Sequence, residues 1–170
     1  RYLLHSPNIV LTFTAQAATC PAICTYVDAA WANAPKSRSR YGYIVCVFGN
    51  PVMWEAKVTT MVCLSTAEAE YYAAVHATKS ALWLANLIAE ITASPVPSVV
   101  VYEDNTDCIR MTTNPIISAR NRHFCIRMWW LREQVDSGTV KFVQVPTAKQ
   151  VDNIDNIFIK ISPAPIFLRL

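Results

Sequence analysis

The alanine-rich stretch at residues 65–93 leaves this chain few ways to fold. Ala74, Ala77, Ala81, Leu84 and Ile88 recur there at helical spacing, which marks one long helix with an apolar stripe. Ser65 and Glu68, three residues apart, have the form of a capping box at its start. Pro95 and Pro97 close it. Strand-like runs precede the helix at residues 24–27, 43–48, 52–54 and 58–64, with a basic turn at 35–41 and a turn signal at Gly49-Asn50-Pro51. Short turns between such runs predict an antiparallel meander. After the helix, residues 99–102 are apolar throughout, as expected of a strand covered on both faces. Residues 105–111 read as a short helix and 122–135 as an amphipathic one ended by Gly138. A strand at 140–145 and a terminal helix at 150–160 follow. The order β-β-β-α-β-α-(α)-β-α predicts an α/β fold, a mixed sheet with helices on its faces.

A length of 170 residues suits one domain. The chain is 53% hydrophobic and 16% charged, which excludes intrinsic disorder, a state that needs the reverse balance. Fifteen basic and twelve acidic residues leave +3, which permits a polyanionic partner without requiring one. Six cysteines with no C-x-x-C pair are too sparse for a secreted disulfide scaffold, so a reducing cytoplasmic or nuclear setting is expected. Residues 9–18 have the apolar character of a signal-peptide core, but Pro7 and the threonines argue against one. Lys79 and Glu90 interrupt the best candidate membrane span, and no membrane partner is expected. Because the first residue is Arg1, the chain is expected to be a piece of a longer product.

Acidic residues are few, so their positions are informative. Asp28 ends one apolar strand-like run, Asp104 follows another, and Glu68 and Glu70 open the long helix. Strand ends and a helix start are where open α/β sheets build ligand sites. Carboxylates converging there repel one another unless a divalent cation neutralises them, and oxygen-rich sites suit Mg²⁺ or Mn²⁺. Two such ions about 4 Å apart can activate water and stabilise the leaving oxygen of a phosphodiester. Read alone, each such aspartate is more often a cap or a turn residue.

Residues 25–32 (TYVDAAWA), 37–54, 63–88, 102–109 (YEDNTDCI) and 122–147 together resemble the ribonuclease H domain of copia-type LTR retrotransposon polyproteins. The resemblance implies a five-stranded ribonuclease H-like fold, with antiparallel β1-β2-β3 and then parallel strands. It also implies Mg²⁺- or Mn²⁺-dependent cleavage, by a two-ion site, of the RNA strand of RNA/DNA hybrids during reverse transcription. It divides the chain into the tail of a reverse-transcriptase region at 1–21, the ribonuclease H-like domain at 22–160 and a C-terminal tail at 161–170. The implied partners are a hybrid and the reverse-transcriptase domain of the same polyprotein, in a cytoplasmic virus-like particle or the nucleus.

Carried over residue by residue, the family's acidic pattern falls on Asp28, Glu70 and Asp104 as metal ligands. Glu68 is the rival for the middle place, but the capping box accounts for it, and Glu70 precedes Tyr-Tyr-Ala much as the family's glutamate precedes its alanine. The fourth acidic position falls on Asn156, with Asp155 beside it. Helical neighbours point about 100° apart, so Asp155 does not replace it without a register shift. Ala30, Asp107, Cys125 and Trp129 stand where the family carries other polar groups. The alternative is therefore a catalytically inactive remnant that at most binds nucleic acid or supports the polyprotein. Asn105, Arg120, Arg122 and His123 are the expected substrate contacts, with Arg38, Arg40, Arg127 and Arg132 as further candidates for phosphate.

Overall fold

The computed structural model describes residues 13, 15, 20–114 and 122–145. Its strands are β1 (Ile23–Ala34), β2 (Arg38–Val47), β3 (Asn50–Val58), β4 (Val99–Glu103) and β5 (Val140–Gln144). Its helices are α1 (Thr66–Thr92), α2 (Thr106–Thr113) and α3 (Cys125–Asp136), with short 3₁₀ turns at Pro35–Ser37 and Arg122–Phe124. They form one mixed sheet in the order β3-β2-β1-β4-β5. β1 pairs antiparallel with β2, and β2 with β3. β4 runs parallel to both β1 and β5.

α1 lies on the sheet through a ridge of alanines. Ala69, Ala73, Ala77, Ala81 and Ala85, spaced four apart, are all fully buried against Ile23 and Val27 of β1, Val45 of β2 and Val99 and Val101 of β4. Small side chains at that spacing let a long helix approach the strands closely without forming holes. Ala74 and Tyr71 turn the other way, into a second cluster with Cys108, Phe124, Met128 and Leu131 that holds α2 and α3 against α1. Cys24, Ile44 and Cys46, with Tyr26, Val100 and Tyr102 packed beside them, form a third cluster of the sheet.

Several local expectations shift. Residues 59–64 are not a strand, because Thr59 and Thr60 give their side chains to local bonds that compete with a ladder. Thr59 Oγ1 donates to the Met61 carbonyl at 2.7 Å, and Thr60 meets the Tyr72 hydroxyl at 3.0 Å. β2 begins at Arg38, inside the stretch expected to be a basic turn. The β2–β3 reversal falls on Phe48 and Gly49, both at positive φ, and Pro51 lies within edge strand β3 at a register shift, where a missing N–H is tolerated. The terminal helix expected at 150–160 lies outside the described residues.

Candidate functional site

β1 and β4 are paired in parallel from Ile23↔Val99 to Tyr26↔Tyr102. Two residues beyond that last pair each segment carries an aspartate, Asp28 within β1 and Asp104 just past β4. Equal counts along parallel neighbours set the two at one level of the sheet. α1 adds Glu70 from its second turn. Glu68 is held elsewhere: Ser65 Oγ accepts from the Glu68 N–H at 3.2 Å, and Glu68 Oε2 accepts from the Leu64 N–H at 2.8 Å. The box thus closes one residue earlier than the standard form, and it fixes the start of the helix that presents Glu70.

One ligand oxygen each from Asp28, Glu70 and Asp104 lies within 4.8 Å of the other two. They open into a cleft of about 450 Å³, lined also by Ala29, Thr66, Asn105, Thr106 and Asp107. Asp28 and Glu70 are 2% and 4% exposed. Burial pushes the Glu70 carboxyl up to about 11; Glu103, Asp28 and Asp104 add like charge, and the Ala29 N–H bond works the other way. Glu103, the last residue of β4, is completely buried, and burial raises its carboxyl well above the usual range, with the Asn105 N–H opposing and Asp104 and Asp28 reinforcing.

Three converging carboxylates, one of them with a buried oxygen, Glu70 Oε2, that has no hydrogen-bond partner among the described residues, form an incomplete electrostatic arrangement. An all-oxygen donor set of this kind fits a hard divalent cation, which would neutralise the cluster and use the free oxygen.

No protein-family model matches the chain. Among curated proteins it is 32% identical over 148 residues to the retrovirus-related Pol polyprotein from transposon TNT 1-94 of Nicotiana tabacum. It is 31% identical over 152 residues to that from transposon RE1 of Arabidopsis thaliana. These alignments cover 86% and 89% of this chain. The chain is a homologue of copia-type retrotransposon Pol polyproteins. This Pol homologue spans 11% and 10% of the two relatives' lengths. Its fold is ribonuclease H-like: it matches LC11-RNase H1, isolated from compost, with a TM-score of 0.58 at 16% identity, covering 82% of this chain and 96% of that one. The same enzyme solved in complex with an RNA/DNA hybrid matches at 0.57 and 14% identity, covering 81% and 93%.

In the Pol homologue the other expected contacts are distributed unevenly. Asn105 lines the cleft, but its Oδ1 caps α2, accepting from the Asp107 and Cys108 N–H groups at 3.0 and 2.9 Å. Arg122 is exposed in its 3₁₀ turn. Arg120, Asp155, Asn156 and the side chain of His123 lie outside what the structure describes. Arg132 is not a phosphate contact: it is 4% exposed, donates from Nε to the Met111 carbonyl at 2.9 Å and from Nη2 to the Asn114 carbonyl, and so ties α3 to α2. Arg127 lies over the Tyr72 ring. Thr66, at the first turn of α1, lines the cleft without having stood out in the sequence, and Asp107, noted there only as a departure from the family pattern, lines it from the first turn of α2. Glu103 also went unremarked, although a charge closing an otherwise apolar strand run was its signal.

Proposed function

We propose that this chain is the ribonuclease H domain of a copia-type Pol polyprotein and cleaves the RNA strand of RNA/DNA hybrids with a divalent cation, Mg²⁺ or Mn²⁺. The observation that carries the reading is the convergence of Asp28, Glu70 and Asp104 to within 4.8 Å at the open end of a ribonuclease H-like sheet. Those three side chains would hold the cation, or a pair of them. A cation so held supplies Lewis acidity and an activated water for phosphodiester hydrolysis. A cation held there would favour the ionised form of Glu70, offsetting the burial and the like charge of Glu103, Asp28 and Asp104 that hold its proton on. The Asn105 cap and the Ser65–Glu68 cap keep the two helix starts rigid around the cleft. Thr66 of α1 and Thr106 and Asp107 of α2, in the first turns of those helices, line the same cleft. The hybrid and the polyprotein's own reverse-transcriptase region are the proposed partners, with residues 22–160 as the domain and 1–21 as the tail of that region.

Asn156 favours a second reading, an inactive remnant, since an amide at the fourth acidic position supplies an oxygen without charge. A panel of labelled substrates separates the two. With Mg²⁺ and then Mn²⁺, the chain is expected to shorten the RNA of a hybrid and leave duplex DNA and single-stranded RNA intact. Cleavage seen only after Asn156→Asp would select the remnant. Equal cleavage of all three substrates would reject the hybrid assignment.

A further inference from the structure

We propose that Glu103 is a positioning residue for the cation site, acting through the turn that carries Asp104. This inference rests on the cation-binding reading of the cleft. Asp104 sits between two pinned residues. On one side Glu103 ends β4 in register with Gln144, and its carbonyl accepts from the Val145 N–H at 3.0 Å. On the other side Asn105 is held by the Glu103 side chain, whose Oε1 accepts from the Asn105 N–H at 3.0 Å. Asn105 in turn caps α2 through two N–H groups. The Glu103 carboxyl therefore closes a small ring of bonds around the Asp104 peptide, and it does so from a completely buried position where no water can take its place.

Among the described residues its second oxygen, Oε2, is buried with no partner at hydrogen-bond geometry, and the Cys108 thiol and the Asp104 side chain adjoin the carboxyl. Burying a carboxyl completely is expensive. An ordinary turn after an apolar strand needs no such group. Glu103 is also the carboxyl whose charge bears most on Glu70, so the same side chain adjoins two of the three expected ligands. Groups that orient metal ligands through hydrogen bonds typically change metal affinity by about 10- to 100-fold when removed.

The experiment uses the full chain with Glu103→Gln, which keeps an oxygen acceptor of the same size, and Glu103→Leu, which fills the space without one. Two quantities are read: the hydrogen-exchange protection of the Asn105 amide without metal, and the affinity for Mn²⁺ by calorimetry. Glu103→Gln is expected to keep the amide protected and the Mn²⁺ affinity within about threefold of the natural chain. Glu103→Leu is expected to lose that protection and bind Mn²⁺ about tenfold or more weakly. Natural Mn²⁺ affinity in Glu103→Leu, or protection of Asn105 undiminished in it, would overturn the assignment while leaving the cation site standing. Affinity lost equally in both variants would overturn it too, since the acceptor would then be irrelevant. Absence of Mn²⁺ binding by the natural chain would instead remove the cation reading, and this assignment with it.

Discussion

Glu70 carries the clearest physical signature of the site. Its carboxyl is raised from an ordinary 4.5 to about 11 by burial and by Glu103, Asp28 and Asp104. As pH rises past 4.5 the unfolded chain loses this proton while the folded chain keeps it. Proton linkage then makes the stabilising contribution complete below about 4.5 and lost progressively as pH approaches about 11. Without metal, the thermal midpoint is therefore expected to fall between about pH 5 and pH 9, and to fall less in Glu70→Gln. A midpoint rising over that interval in both proteins would contradict the charge state. Asp28→Asn removes one like charge from the same cluster. Metal-free, it is expected to melt a few degrees higher, the equivalent of about 1 kcal/mol, while losing the upward shift that Mg²⁺ gives the natural chain. Differential scanning calorimetry with and without Mg²⁺ reads both effects.

At the scale of elements, the turns and caps can be tested separately from the site. Phe48 occupies a left-handed conformation (φ 46) in the two-residue turn before Gly49, and it is 54% exposed, so it gains little from packing. Asparagine is preferred there, and Phe48→Asn is expected to stabilise the chain by up to about 1 kcal/mol in urea denaturation. Ser65→Ala should lower stability by about 1 kcal/mol through the lost cap. The same elements show how far a linear reading reaches. α1 was legible because its alanines repeat on one face and its start carries a cap. β1 was read as four residues and is twelve, because Ala29, Ala30, Ala32 and Asn33 have no strand preference of their own. Ala29 and Ala30 are extended by pairing with β2, Ala29↔Tyr41 and Ala30↔Arg40, while Ala32 (φ 51) and Asn33 lie in the register shift before Ala34↔Arg38, none of which local pattern encodes. Residues 59–64 failed in the opposite sense: apolar enough for a strand, they are diverted by threonine hydroxyls.

Across the whole molecule, the alternation of strands and helices was enough to predict a mixed sheet, and the resemblance added antiparallel β1-β2-β3 with parallel strands after them; the order β3-β2-β1-β4-β5 comes from the structure. Asp104 was legible as a strand-end acid, whereas Asp28, expected at a strand end, lies inside β1 (Ile23–Ala34). Their meeting with Glu70 was expected from the resemblance and not from local pattern, since it depends on how far α1 slides along β1, a distance set by the alanine ridge. Glu103 was hidden for a related reason: nothing in a sequence says which face of a strand's last residue is buried. The proposed hydrolysis of the RNA strand falls to this one cluster of Asp28, Glu70 and Asp104. The most direct test is the rate at which the natural chain and Asp28→Ala, with Mg²⁺ present, cleave the labelled RNA of a hybrid. Loss of several kcal/mol of charge stabilisation predicts a drop of about 10³-fold or more in the variant, with hybrid binding retained. Equal rates in the two proteins would place the chemistry elsewhere and contradict the account.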